Sequence, residues 1–136
     1  MTLSSKLLYL DSSAIVKLVA YEPETIALLS YLGAHPQRVS SALARVETLR
    51  AIRRAGGGRP DRRRAEEVLS RIALIRIDEE ILEKAAELEP PDLRTLDAIH
   101  LATALTIRHD LAGLISYDER FSAAATSLGL TTASPR

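Results

Sequence analysis

The fold is decided at residues 6–20, which read KLLYLDSSAIVKLVA. The apolar first part is short and shows no two-residue alternation, which predicts a buried strand. Asp11 ends this strand, and Ser12 or Ser13 can cap a helix over residues 14–20. A strand that leads directly into a helix is typical of a parallel sheet, because parallel strands need crossover connections.

The same alternation of strand and helix continues to the end of the chain. Further strands are predicted at residues 38–40, 74–77, 113–117 and 130–132. Further helices are predicted at residues 24–32, 41–54, 61–72, 79–88, 95–108 and 121–128, with Ser41, Asp61 and Asp78 as caps of three of them. Short apolar strands without alternation indicate an α/β fold whose parallel sheet is covered on both faces.

Composition narrows the class of protein further. The chain has 136 residues and is 46% hydrophobic, which suits one domain over residues 1–136 and excludes a disordered chain. No apolar run is long enough to span a bilayer, so no membrane partner is expected. The absence of cysteine excludes disulfides and thiolate catalysis and fits a cytoplasmic protein.

Charge is balanced overall but not evenly distributed. The formal net charge is zero, which argues weakly against a general nucleic-acid binder. One segment nevertheless concentrates arginine, whose guanidinium binds phosphate or carboxylate through paired hydrogen bonds. These residues are Arg45, Arg50, Arg53, Arg54, Arg59, Arg62, Arg63 and Arg64. For most of these arginines a solvated helical surface is the favoured explanation.

Four acids are the candidate site residues. Asp11 and Asp118 each follow a predicted strand, and ligands of open parallel sheets bind beyond the carboxyl ends of the strands. If those strands are neighbours, their backbones lie about 4.8 Å apart and both carboxylates can reach one cation. Asp97 lies in the first turn of a helix, and Glu47 lies about two turns into another.

Each acid also has an ordinary structural explanation. An acid near a helix N-terminus is stabilised by the helix dipole, which accounts for Asp97, and turn or cap positions account for Asp11 and Asp118. Glu47 can pair with Arg50 three residues later. Their shared placement at strand ends and helix starts is what favours a single site, at which we expect the carboxylates to converge.

Clustered carboxylates with few histidines form a hard, oxygen-rich site that suits Mg2+ or Mn2+. Such a cation can activate water for attack on a phosphodiester, and a second can stabilise the leaving oxygen. No histidine nucleophile is needed, so His100, on the apolar helix after Asp97, is interpreted as a packed residue. Lys17 is expected on the exposed side of its helix.

Four stretches resemble the PIN-domain family, and within it the VapC-type toxins of bacterial toxin–antitoxin pairs. They are YLDSSAIVKL at 9–18, SALARVE at 41–47, LRTLDAIHLA at 93–102 and SYDERF at 116–121, in family order. The resemblance implies a three-layer α/β/α sandwich with a central, mostly parallel sheet. It also implies a metal site for Mg2+ or Mn2+ at Asp11, Glu47, Asp97 and Asp118. Ser13 falls at a position that supports the first acid, although it can equally cap the helix.

The resemblance further implies an endoribonuclease whose partners are RNA and a small VapB-type antitoxin, and which forms a homodimer. The helices at residues 24–32 and 41–72 are the surfaces expected to take part. Two alternatives within the fold stay open: a housekeeping RNA-processing nuclease, and a module that binds RNA or protein without cutting. An adjacent antitoxin reading frame would favour the toxin.

Two other families also place an acid after a first strand. A phosphatase of the haloacid dehalogenase type needs a second aspartate two residues on, where this chain has Ser13. A response-regulator receiver needs a paired acid before the first strand and a lysine after a late strand, and neither is evident. Both families are therefore disfavoured.

Overall fold

In the computed structural model, which describes residues 6–136, five strands form one parallel sheet. The strands are β1 (Leu7–Leu10), β2 (Arg38–Ser41), β3 (Ala73–Ile75), β4 (Leu111–Ile115) and β5 (Thr132–Ala133). Their order is β3-β2-β1-β4-β5, and every neighbouring pair is parallel. The first five residues of the predicted single domain lie outside the described part.

Helices follow the strands along the chain. The described residues contain α1 (Ser12–Val19), α2 (Thr25–Gly33), α3 (Leu43–Arg54), α4 (Arg59–Leu69), α5 (Glu79–Glu87), α6 (Thr95–Thr106) and α7 (Glu119–Ser127). A short 3-10 helix at Arg108–Asp110 leads into β4. None of the helices within residues 6–136 combines the length and hydropathy needed to cross a membrane.

Strand β1 separates two cores because its side chains alternate between the faces of the sheet. Leu8 and Leu10 pack in a core with residues of α1 to α4. Tyr9 packs in a second core with residues of α6 and α7 on the other face. Each fully buried leucine of these cores contributes about 1.5–3 kcal/mol through burial of apolar surface. The three-layer α/β/α sandwich with a parallel sheet is therefore confirmed.

Of the four predicted helix caps, one is confirmed and two are wrong, and the fourth, Ser41, lies one residue before the N-cap of α3, where its hydroxyl accepts the Leu43 N–H at 3.0 Å. The carboxylate of Asp11, not a serine, accepts the Ala14 N–H at 3.0 Å and caps α1. Helix α4 starts two residues before Asp61, because Pro60 suits the first turn and the Asp61 carboxylate accepts the N–H of Gly58. Asp78 caps α5 as predicted.

The ends of three strands also differ from the prediction, and the end of β4 lies beside the predicted site residues Asp11 and Ser13. The apolar run of β4 was expected to continue to residue 117, but the strand ends at Ile115. The Ser116 N–H still donates to the Ala133 carbonyl of β5, whereas the Tyr117 N–H donates to the Ser13 hydroxyl and not to a strand. The Ser116 hydroxyl donates to Asp11. Predicted strands 74–77 and 130–132 likewise lie at 73–75 and 132–133.

Candidate active site

All five predicted site residues line one cavity of about 320 Å3. The cavity lies beyond the carboxyl ends of β1 and β4, which are neighbours in the sheet as the predicted site required. Helix α3 contributes Glu47, and the first turn of α6 contributes Asp97. The residues concerned are Asp11, Ser13, Glu47, Asp97 and Asp118. The expected convergence of the acids is therefore present in the structure.

Asp11 is buried, and its hydrogen-bond donors among residues 6–136 are neutral. Its Oδ1 accepts hydrogen bonds from the Ser13 hydroxyl at 2.6 Å and from a backbone N–H of α1. Its Oδ2 accepts the Ser116 hydroxyl at 2.5 Å. Burial raises the pKa of Asp11 above its ordinary value, although the hydroxyls of Ser116 and Ser13 act in the opposite direction. The carboxylate is thus fixed in place without a cationic side chain among these hydrogen-bond donors.

Ser116 is a contact that the sequence reasoning missed. Its hydroxyl donates to Asp11 and also accepts the backbone N–H of Asp118 at 3.0 Å, so it links the two acids that follow β1 and β4. The signal available in the sequence was a hydroxyl residue two positions before Asp118. Ser13 also has two roles, because its hydroxyl donates to Asp11 and accepts the Tyr117 N–H at 3.0 Å.

Asp97 and Asp118 share one arginine. The Nε of Arg94 lies 3.1 Å from Asp97 Oδ2, and its Nη2 lies 3.2 Å from Asp118 Oδ2. Asp118 also caps α7, because its Oδ1 accepts the N–H groups of Arg120 and Phe121. The Arg94 side chain is 63% exposed, so water weakens both ion pairs.

Glu47 contacts a histidine and not the arginine considered from the sequence. His100 Nε2 lies 2.6 Å from Glu47 Oε1, and Nδ1 lies 2.7 Å from the Tyr9 hydroxyl. His100 is 2% exposed, so it is packed as predicted, but its contact with a site residue was not foreseen. The available signal was its position three residues after Asp97, on the same helix face.

The prediction for Lys17 is wrong. Its side chain is only 12% exposed, and Nζ lies 2.6 Å from Glu22 Oε1 and 2.9 Å from Glu24 Oε1. Nζ also lies 4.8 Å from the centre of the Tyr117 ring. The chain after α1 brings both glutamates back against the lysine, a contact that helical spacing alone does not reveal.

A family model and several relatives match this chain. The model described as PIN domain matches residues 8–126. The chain belongs to the PIN-domain family. Among curated relatives, this PIN domain is 48% identical to Ribonuclease VapC46 of Mycobacterium tuberculosis, over 94% of the chain and 97% of the relative. It is 36% identical to Ribonuclease VapC47 of the same species, over 95% of the chain and 97% of the relative. The VapC resemblance is thereby confirmed.

Solved structures share the fold of this PIN domain. A toxin–antitoxin complex from Klebsiella pneumoniae aligns with a TM-score of 0.71 at 24% identity, over 95% of this chain and 98% of that one. VapBC2 from Rickettsia felis, solved with a DNA fragment from its promoter, aligns with a TM-score of 0.73 at 13% identity, over 96% and 99% of the chains. At these identities the likeness concerns the fold.

The donor set of the PIN-domain cavity fits a hard divalent cation. Its acids offer carboxylate oxygens, the ligands that Mg2+ and Mn2+ prefer, and a buried carboxylate such as Asp11 is stabilised by a nearby cation. Within residues 6–136, no three carboxylate or histidine side chains lie close enough together to hold one ion in this arrangement. Arg94 is the cation that balances two of the acids in this structure.

A groove of about 670 Å3 adjoins the cavity of the PIN domain and shares Ser12, Ser13, Glu47 and Leu96 with it. Arg50 and Arg54 of α3 line the groove. These two belong to the arginine-rich segment seen in the sequence. The structure therefore places positive charge directly beside the acidic cavity, along one continuous depression of the surface.

Proposed function

We propose that this chain is a Mg2+- or Mn2+-dependent endoribonuclease that acts as the toxin of a VapBC-type pair. One observation carries the proposal: four acids from separate parts of the chain line one cavity at the carboxyl edge of the sheet. Curated relatives at 36% and 48% identity bear the name ribonuclease, which supports the same activity for this chain.

Asp11, Glu47 and Asp97 are the residues that would hold the cation, with Asp118 as the fourth acid. When bound, a divalent cation supplies an activated water and neutralises charge that develops on the phosphodiester. The chain itself holds Asp11 in place through Ser13 and Ser116. The Asp11 carboxylate is therefore fixed before the cation binds, which favours binding, whereas the other acids must move closer to it to share one ion.

RNA is the proposed substrate, and the groove beside the cavity is its proposed path. The guanidinium groups of Arg50 and Arg54 suit backbone phosphates, which attract arginine regardless of base sequence. A phosphate bound there would bring the neighbouring phosphodiester toward the acids. Positive charge beside the cavity also offsets the repulsion between those acids and an anionic substrate.

The decisive experiment is cleavage of total bacterial RNA by purified protein from which any bound antitoxin has been stripped. We expect discrete fragments in Mg2+ or Mn2+, none in EDTA, and none with Asp97→Asn, which retains the fold because Asp97 lies at the cavity surface. Asp92→Asn is the matched control, since Asp92 is exposed in the loop before α6 and does not line the cavity. Fragments that persist with Asp97→Asn or in EDTA would refute the proposed site.

The toxin role has a separate test. We expect that expression of the chain arrests growth of a bacterial host, and that co-expression of a small VapB-type antitoxin from an adjacent reading frame restores it. Asp97→Asn should not arrest growth. Cleavage without growth arrest would instead favour a housekeeping nuclease, and binding of RNA without cleavage would favour a binding module. Light scattering of the purified protein tests the proposed homodimer.

A further inference from the structure

The His100 side chain links the second core to the acidic cavity. Its Nδ1 lies 2.7 Å from the hydroxyl of Tyr9 on β1, and its Nε2 lies 2.6 Å from Oε1 of Glu47 on α3. An edge-on contact with Phe121, at 6.1 Å between ring centres, restricts the ring further. Three elements therefore fix the position of one imidazole, which in turn contacts one acid.

The direction of these hydrogen bonds follows from their partners. An ionised carboxylate can only accept, so Nε2 must carry the hydrogen that it shares with Glu47. In a neutral imidazole the other nitrogen is then an acceptor, and the Tyr9 hydroxyl can fill it by donating. Tyr9 therefore favours the ring form that Glu47 needs.

We infer that His100 is the positioning residue for Glu47: its Nε2–H holds Oε1 and leaves Oε2 directed to a ligand in the cavity. No described residue hydrogen-bonds Oε2, whereas Glu47 lines the cavity. The inference deepens the proposed function, because the ligand it serves is the divalent cation proposed for that cavity. Without this bond, Glu47 is free to rotate among its side-chain conformers and must be ordered when the cation binds.

Two amide variants distinguish a role of His100 in positioning Glu47 from a role in packing alone. His100→Asn places an amide near the position of Nδ1, so it can still meet Tyr9 but falls short of Glu47. His100→Gln reaches further, so it can donate to Glu47 and loses the contact with Tyr9. Both replace a buried ring by a buried amide, so they share the loss of packing and differ in which partner they keep.

The first readout is Mn2+ binding measured by calorimetry without RNA, together with Tm. We expect His100→Asn to weaken Mn2+ binding by about 10- to 100-fold, as is typical for residues that orient metal ligands. We expect His100→Gln to bind Mn2+ almost as tightly as the wild type at a similar loss of Tm. Equal binding by both variants, whether weak or at the wild-type level, would overturn the inference.

The second readout needs no cation and separates this inference from the proposed function. Nitrogen-15 spectra of the metal-free wild type should show a hydrogen on Nε2 of His100, and Tyr9→Phe should let the Nδ1–H form appear. The Glu47 carboxyl carbon-13 signal should move in His100→Asn and stay in His100→Gln. An Nε2 that carries no hydrogen in the wild type, or a Glu47 signal that does not move in His100→Asn, would overturn the inference even if Mn2+ binds. A wild type that binds no Mn2+ but shows the expected spectra would refute the proposed cation site and leave the positioning of Glu47 by His100 intact.

Discussion

Two groups of acids lie at opposite ends of helix α1, and their charges are balanced differently. At the end of α1, the lysine cluster consists of Lys17, Glu22 and Glu24, with a partly buried ammonium within 2.9 Å of both carboxylates. At the start of α1, the acidic cavity is lined by four acids, of which Asp11 is held by hydroxyls and a backbone N–H. Two others share the exposed Arg94.

The comparison shows what distinguishes a structural acid from one available to a ligand. In the lysine cluster each acid has a close cation within the chain, so nothing further is required for its charge. In the acidic cavity the carboxylates are positioned but incompletely balanced, and buried charge without a partner is unfavourable. The acidic cavity is therefore expected to gain stability from an added cation, and the lysine cluster is not.

The largest expected effect is that of Asp11→Asn. We expect cleavage to fall by more than the about 100-fold loss seen for residues that merely orient metal ligands, because Asp11 itself would hold the cation. We also expect the Tm of the metal-free protein to stay equal or rise, since asparagine removes a buried charge and still caps α1. Cleavage assays and thermal unfolding without cation measure the two effects.

Ser13→Ala is the informative companion to Asp11→Asn. It removes one donor to Oδ1 and the acceptor for the Tyr117 N–H, while Ser116 still donates to Oδ2. We expect it to lower Tm and to reduce cleavage less than Asp11→Asn. A Tm loss in Asp11→Asn with unchanged activity per folded molecule would mean that Asp11 serves the fold.

In the lysine cluster, Lys17→Met should show the opposite pattern. It leaves Glu22 and Glu24 without their shared cation, and we expect Tm to fall by about 4 °C, the shift produced by a loss of about 1 kcal/mol in a domain of this size. Added Mn2+ should raise the Tm of the variant by the same amount as that of the wild type, because the cation binds elsewhere. A Tm deficit that Mn2+ removes would contradict the comparison.

Much of this arrangement was predictable from the sequence, because apolar runs and capping signals set the order of strands and helices. That order placed Asp11 and Asp118 after strands and Asp97 and Glu47 in the early turns of helices, and the motif resemblance implied one metal site for all four. The end of β4 was not predictable, since Tyr117 suits a strand by its residue type and leaves the sheet with its N–H bonded to Ser13, a residue 104 positions away in the sequence.

Contacts between distant helices were also beyond the reach of sequence patterns. His100 meets Glu47 because α6 and α3 approach each other near the end of β2, and the two residues are 53 positions apart. Lys17 looked exposed because helical spacing describes one helix and not the segment that folds back onto it. Positions within an element follow from local rules, whereas partners across elements depend on packing.

A smaller effect is expected from Arg94→Gln, which removes the cation between Asp97 and Asp118. The metal-free variant should have a slightly lower Tm, because the two acids lose their shared partner. Mn2+ should bind more tightly and raise Tm more than in the wild type, because no guanidinium competes for the acids. Arg120→Gln, an exposed arginine outside the cavity lining, is the matched control. An unchanged Mn2+ response would show that Arg94 does not compete with the cation.

The smallest expected effect is the loss of folding stability at acidic pH that comes from the lysine cluster. A hydrogen bond from Lys17 lowers the pKa of Glu24 below the ordinary glutamate value of 4.5, so the folded protein binds this proton less readily than the unfolded chain. The stabilisation is therefore present above pH 4.5 and is lost as the pH falls below it, through the lower pKa of the folded state. We expect Glu24→Gln to have a lower free energy of unfolding than the wild type at pH 7, and the two to converge as the pH falls below 4.5. Glu83→Gln, at an exposed position of α5, is the matched control variant. If the free energy of unfolding of Glu24→Gln differed from that of the wild type by the same amount at every pH, the packing of Glu24 and not its charge would be what stabilises the fold. That result would remove the contrast with the acidic cavity.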